Sequence, residues 1–310
     1  MRLGVLDIGS NTVHLLLVDA HPGARPIPFG SHKRALQLVA YLDADGAISE
    51  AGQRELLDFV GEAAEFARSN NAEDLLAFAT SAIRESANGV AVLARVYAET
   101  GILLEELSGP DEAAATFLAV RRWYGWGSGN ILNLDIGGGS FELAMGADEH
   151  PELALSVPLG AGRLTWDHLE ADPPTAKSVK TARKHIRATL EQPIAAFAKL
   201  EPATIVAATS KSFRSLARIT GAAPRAAGPY VKRELRLADL RLWSSRLAAM
   251  SSADRAELPG VSDVRAKQLL AAALVAEEAM AGLGIDAVQI CPWALREGLI
   301  LRRFDHLQSA

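Results

Sequence analysis

One turn is written twice in this chain. Asp7-Ile8-Gly9-Ser10-Asn11-Thr12 and Asp135-Ile136-Gly137-Gly138-Gly139-Ser140 each stand between two apolar runs that read as β-strands. A second mark keeps step with the first: Phe78-Ala79-Thr80-Ser81 precedes a helical pattern carrying Arg84, and Ala207-Ala208-Thr209-Ser210 precedes one carrying Arg214. The turns are 128 residues apart and the Thr-Ser pairs 129. Two marks in register imply an internal duplication, and hence two similar domains expected to face each other across a cleft, with both hairpin turns available to one ligand.

A length of 310 residues suits two apolar cores, and 49% hydrophobic with 22% charged residues describes an ordinary soluble globular protein. The N-terminus meets Asp7 and a glycine turn too early for a signal peptide, and no apolar stretch is long enough to span a bilayer, so a cytoplasmic protein is expected. Cys291, the only cysteine, lies among apolar residues beside Pro292 and reads as a buried core thiol. The net charge of -5 is lopsided: Lys177 to Arg241 holds fourteen Lys and Arg against four acids, a local +10. Such a stretch points to a polyanionic ligand, and its few aromatics do not interleave as in nucleic-acid binders.

The first half reads strand, turn, strand from Leu3 to Ala20, then a polar linker, then a helix N-capped by Ser49, a strand over 75–79 and a helix after Ser81. The second half repeats this order, with strands over 131–136 and 141–145, a helix over 175–200 broken near Pro193, and a strand over 204–208. The tail predicts a helix over 264–280, a strand over 287–291 and a closing helix over 293–304. The glycine-rich segment 123–129 interrupts the pattern and is the expected junction. Domain boundaries are therefore placed at 1–126 with about 297–310, and at 127–296.

Three glycines between strands cost backbone entropy, a cost that makes sense where a turn must bring several N–H groups close to a phosphate. Asp7 and Asp135, each ending a strand, sit where a carboxylate can hold Mg²⁺ against phosphate oxygens, or can hydrogen-bond the turn itself.

These residues carry a resemblance. Asp7 to His14, Ala79 to Arg84, Ser108 to Ala113, Asp135 to Glu142, Leu159 to Arg163 and Leu295 to Gly298 together resemble the exopolyphosphatase and guanosine pentaphosphate phosphohydrolase family in its short two-domain form. The resemblance implies an α/β fold of duplicated actin-like, ribonuclease H-like ATPase domains. It implies that Glu112 activates the attacking water, and that Asp135, Asp7 and Glu142 bind Mg²⁺, with Mn²⁺ possible. It implies a phosphate-binding set of Ser10, Asn11, Thr12, Arg84, Gly137, Gly138, Gly139, Ser140, Arg163, Lys211 and Arg265. The expected activity is release of terminal orthophosphate from inorganic polyphosphate by a homodimer that binds neither membrane nor nucleic acid. Guanosine pentaphosphate hydrolysis, or low-turnover binding of guanosine penta- and tetraphosphate, are the alternatives. Two departures stand out: Lys267 replaces a small or acidic residue, and Ala272 replaces a glycine near the position where superfamily relatives approach a nucleotide.

Overall fold

The computed structural model describes residues 1–21 and 26–309; residues 22–25 of the expected linker and residue 310 of the closing segment lie outside them. Two compact units are present, Met1–Glu112 with Leu295–Ala310, and Ala113–Ala294. In the first unit, strands β1 (Arg2–Ile8), β2 (Val13–Asp19), β3 (Ile27–Arg34), β4 (Asp74–Ala79) and β5 (Glu105–Glu106) form one sheet in the order β3-β2-β1-β4-β5. β1 is central and buried on both faces, so it reads as an apolar run rather than an alternation. Helices α1 (Glu50–Ser69), α2 (Ser81–Arg84) and α3 (Gly89–Thr100) complete the unit's alternation of strand and helix. Ser49 caps α1 by accepting a bond from the Gly52 N–H, and α1 buries Leu56, Phe59, Val60 and Ala63 in the core beside Leu6, Leu15 and Leu17.

Helix α4 (Gly109–Tyr124) leads into the second unit, and the division falls inside it, between Glu112 and Ala113, rather than at 123–129. Its later turns explain this placement: Ala113, Phe117 and Val120 pack with Ile131, Ala144, Ala207 and Cys291, and Trp123 stacks on Tyr230 at 5.4 Å. Cys291 is buried in that layer and forms no disulfide.

The second unit contains β6 (Ile131–Ile136), β7 (Phe141–Gly146), β8 (Leu153–Val157), α5 (Ala161–His168), α6 (Ala176–Phe197), β9 (Ile205–Ala208), α7 (Ser210–Ile219), β10 (Glu234–Arg236), α8 (Leu237–Ala249), α9 (Ser252–Ala256), α10 (Asp263–Ala266), α11 (Leu269–Gly282) and β11 (Ala287–Ile290). Its sheet order is β10-β11-β9-β6-β7-β8. The chain returns to the first unit with α12 (Leu295–Ser309), where Arg303 pairs with Asp74 at 2.7 Å. α6 runs unbroken through the buried Pro193, against the expected break. Among the described residues no helix is long and apolar enough to cross a membrane.

The duplication is visible in the topology. Reading inward from the meander edge, β3-β2-β1-β4-β5 matches β8-β7-β6-β9-β11, with two antiparallel pairings followed by two parallel ones. One register differs. Ala79 lies opposite Ile8, whereas its counterpart Ala208 lies opposite Leu134, the counterpart of Leu6. A slip of two keeps every side chain on its own face, because strand side chains alternate with period two.

The least exposed acid of the second unit's ion network is Glu278 on α11, which accepts from Arg183 at 2.5 Å and from Arg187 at 2.6 Å; Arg183 also reaches Glu277 at 2.8 Å. Burial raises the Glu278 carboxyl, and the bonds from Arg187 and Arg183 more than offset this, holding it below 4.5. A depressed carboxyl contributes stability above its unfolded value and loses it as pH falls through the folded one. Glu278→Gln is expected to lower stability by about 1–3 kcal/mol at pH 7. Thermal unfolding across pH should show that deficit shrinking below pH 4.5, where the wild-type carboxyl also takes up a proton.

Candidate active site

Each unit carries a hairpin turn with polar groups gathered behind it. In the first, the Gly9 N–H donates to the Thr12 carbonyl, closing the β1–β2 turn, and the Thr80 N–H and hydroxyl both donate to the Ile8 carbonyl. Ser10 is buried, with its hydroxyl 3.0 Å from that of Ser81, and the Asn11 carbonyl accepts from the Gln37 N–H. Ser10 is thus held by the start of α2, Asn11 by the segment after β3, and Thr12 by Gly9 within the turn.

Arg84 and Glu112, assigned separately from the sequence, touch. Arg84 closes α2 and donates through Nη1 to the Leu107 carbonyl at 2.6 Å and to Glu112 Oε2 at 3.3 Å. Glu112 stands in the first turn of α4, which Ser108 caps by accepting from the Asp111 N–H and donating to the Asp111 carboxylate. Both side chains are mostly buried, at 18% and 14% exposure, so the pair is fixed rather than a solvated surface contact.

In the second unit the Gly137–Ser140 turn is bound to α5 through its own backbone. Gly137 O accepts from Ala161 N, Gly138 O from Gly162 N and Arg163 N, Gly139 O from Gly160 N, and Ser140 O from Gly137 N. The turn therefore acts as the N-terminal cap of α5, and among the described residues the N–H groups of Gly138, Gly139 and Ser140 donate to no protein acceptor. Successive N–H groups of this kind make an anion-binding concavity. The packing demands glycine. A Cβ on Gly160 would lie 2.2 Å from Gly139 C and 2.4 Å from Ser140 N. Arg163, half-buried on α5, is placed beside the turn by the same bonds.

Behind this turn Asp135 and Glu142 lie directly opposite across the β6–β7 ladder. The Thr209 hydroxyl donates to Asp135 Oδ2, and the Ser156 hydroxyl to Glu142 Oε1 at 2.8 Å. The other Glu142 oxygen is directed to the turn, since a Cβ on Gly137 would stand 4.0 Å from Oε2. The Ser212 hydroxyl donates to the Ile136 carbonyl and accepts from Arg265 Nη1 at 3.3 Å. Burial, then Arg214, push Arg265 down to about 10 against the pull of Asp135, so it stays cationic at neutral pH. Ser210 has φ of 69°, a left-handed position that costs a non-glycine residue about 1–3 kcal/mol, and its carbonyl accepts from Arg214 Nε. Lys211 beside it is exposed.

Among the described residues no three His, Cys, Asp or Glu side chains gather as for a metal ion, so Asp135 and Glu142 stand as a pair. Two hard anionic oxygens suit Mg²⁺, which takes one or two carboxylates and keeps water or phosphate for the rest. Ser156, Thr209 and Ser212 were missed by sequence reasoning; only Thr209 left a signal, as the repeat of Thr80.

The basic stretch is not one field. Arg183 and Arg187 are paired with Glu277 and Glu278, Arg233 donates to the carbonyls of Ala223, Pro224, Gly228 and Val231, and Glu234 answers Lys232 and Arg236. A groove of about 860 Å³ between α6 and α8 is lined by Lys180, Arg183, Lys184 and Arg187 among others, and holds none of the candidate site residues.

Residues 17–307 match the model of the Ppx/GppA phosphatase family. The chain belongs to that family. It is 54% identical to Exopolyphosphatase 1 of Mycobacterium tuberculosis over 305 residues, covering 98% of this chain and 89% of the relative. The structure of an exopolyphosphatase from Cytophaga hutchinsonii matches with a TM-score of 0.88 at 24% identity, over 99% of this chain and 98% of that one. A Ppx/GppA enzyme from Aquifex aeolicus matches at 0.80 and 24%, over 97% and 99%. These likenesses agree with the duplicated actin-like α/β fold.

Gly160→Ala should cost stability at the upper end of the about 1–3 kcal/mol of an overpacked site, because the obstructing atoms are backbone. Denaturant unfolding checks this; Gly221→Ala, where a Cβ meets nothing within 4 Å but φ is 108°, serves as the comparison for backbone strain alone.

Proposed function

We propose that this chain is an exopolyphosphatase, a phosphoanhydride hydrolase that removes terminal orthophosphate from linear inorganic polyphosphate. The observation that carries the reading is the Gly137–Ser140 turn, whose carbonyls are tied to α5 while the N–H groups of Gly138, Gly139 and Ser140 remain for an anion. The high identity to a relative named Exopolyphosphatase 1 supports the substrate.

In this reading the second turn, with Arg163 and Arg265, binds phosphoryl oxygens, and Ser10, Asn11, Thr12 and Arg84 do the same at the first. Lys211, exposed at the start of α7, adds a cation. Glu112 accepts the proton of a water whose oxygen attacks the terminal phosphorus. As that P–O bond forms, the anhydride P–O bond breaks, and the shortened chain leaves with its charge on the released oxygen. Arg84 holds the Glu112 carboxylate through Oε2. Phosphoryl transfer asks mainly for positioning and charge stabilisation, which this arrangement of donors supplies. Asp135 and Glu142 would hold a divalent cation, Mg²⁺ or Mn²⁺, which when bound neutralises phosphate charge. The family resemblance carries a homodimer into the proposal, which sedimentation velocity checks.

Glu112→Gln keeps shape and loses proton acceptance, so phosphate release from polyphosphate should fall about 10²–10⁴-fold with little change in substrate binding. Phosphate release measured side by side on short polyphosphate, long polyphosphate and guanosine pentaphosphate tests the substrate; preference for the guanosine compound would overturn the assignment.

A further inference from the structure

Helices α6 and α8 both pack on α11, and the groove of about 860 Å³ between them has the size of a small-molecule site. Its lining divides by chemistry. Lys180, Arg183, Lys184 and Arg187 follow the i, i+3, i+4, i+7 spacing of one helix face and give one wall. The remainder is small and aliphatic, Val179 and Ala248 among it, and among the described residues no acid and no aromatic ring lines the groove.

The two guanidinium groups are answered by Glu277 and Glu278, which ties the cationic wall to α11. Lys180 and Lys184 make no ion pair among the described residues, so the net charge of the wall is theirs. Lysines four apart on a helix repel each other. A second unfavourable effect is added at the start of α6, where Lys177 and Lys180 stand near the positive end of the helix and the first turn holds no acid. An anion lying along this face relieves both. On the opposite side Ser244 is buried, lines the groove, and has a hydroxyl with no hydrogen-bond partner among the described residues. Buried polar atoms rarely go unpartnered, and a serine hydroxyl reorients about a single bond to meet a polar atom of an occupant.

The lining also restricts what the anion is carried on. A nucleobase would leave most of its polar edges unmatched against alanine, valine and proline, and unmatched polar groups lose affinity when buried. A bare polyphosphate would gain nothing from the aliphatic part. We propose that this groove binds an aliphatic phosphate ester, with its phosphate on Lys180 and Lys184 and its hydrocarbon against Val179 and Ala248. A cleft walled by two helices suits a free small molecule, whereas a bilayer surface asks for a flat or convex face. The site holds none of the candidate catalytic residues and does not depend on the hydrolase reading.

The test is amide hydrogen exchange of the full chain titrated with octyl phosphate. Exchange should slow over 176–187 and 244–249, and the concentration dependence of that protection gives the affinity of the groove. Methyl phosphate lacks the methylenes of the tail, each worth up to about fourfold when buried, and should protect those segments with at least about tenfold lower affinity. ATP and tripolyphosphate should not protect them. Lys180→Glu with Lys184→Glu suits the dipole at that end of α6 and should fold; it should weaken octyl phosphate by about tenfold or more and leave phosphate release from polyphosphate unchanged. Should that variant lose its fold, Lys180→Gln with Lys184→Gln takes its place and decides in the same way. Equal affinity for octyl and methyl phosphate, an affinity that the double variant leaves unchanged, or protection confined to 137–140 would overturn the inference. Binding to phosphatidylglycerol vesicles without protection by octyl phosphate would overturn it too, and would assign the face to a membrane. The hydrolase is judged separately, by the phosphate-release assay.

Discussion

The bonds between the Gly137–Ser140 turn and the first amides of α5 fix the chemistry of the second unit. Each carbonyl of the turn faces an N–H of residues 160–163 or of Gly137 itself, and each such bond turns the peptide plane so that its own N–H must look elsewhere. A helix start ordinarily leaves amides to be satisfied, and a glycine turn ordinarily leaves both its donors and its acceptors to solvent. Here the two shortages are matched on one side only. The donors of the turn are left over because its acceptors are used, and the contact that achieves this is so close that Gly160 has no room for a single carbon more.

The two copies of the ancestral unit have diverged by small moves that sheet geometry permits. A two-residue slip of β9 against β6 preserves faces, yet it leaves the end of β6 extending past Thr209, and Ser212 with Arg265 fills that position. In the first unit no slip occurs, and Thr80 reaches the last residue of β1. The same plan therefore yields a hairpin backed by carboxylates, serines and an arginine in one unit, and a hairpin backed by serines and an Arg84–Glu112 pair in the other.

The duplication, the two turns, the α1 cap and the closing helix were all legible in the sequence, because each leaves a local mark: glycines in series, Ser49 before an amphipathic run, or an apolar period. β3 and β8 were not. β3 is an exposed edge strand containing Pro28 and Gly30, so it carries neither alternation nor an apolar run, and what holds it is pairing with β2 together with the contacts of His32 and Arg34 to Glu55, Phe59 and Glu62 of α1. Pro193 predicts a break that burial in α6 overrides. The partners of the site residues were hidden for another reason. Ser156 meets Glu142, and Arg84 meets Glu112, through register and tertiary packing, which no spacing along the chain records. The basic stretch misled in the opposite sense: its arginines are adjacent in sequence, but the fold assigns them to separate carboxylates and carbonyls.

The return of α12 to the first unit reverses the order in which the molecule can be finished. Residues 113–294 are contiguous, and everything their core needs has been synthesised once Ala294 is made. The unit that is translated first lacks Leu299, Ile300 and the Arg303 partner of Asp74 until the last residues leave the ribosome. A chain cut short near its end therefore leaves the second unit whole and the first one open along β1, the strand that carries Asp7 and leads into the first hairpin turn.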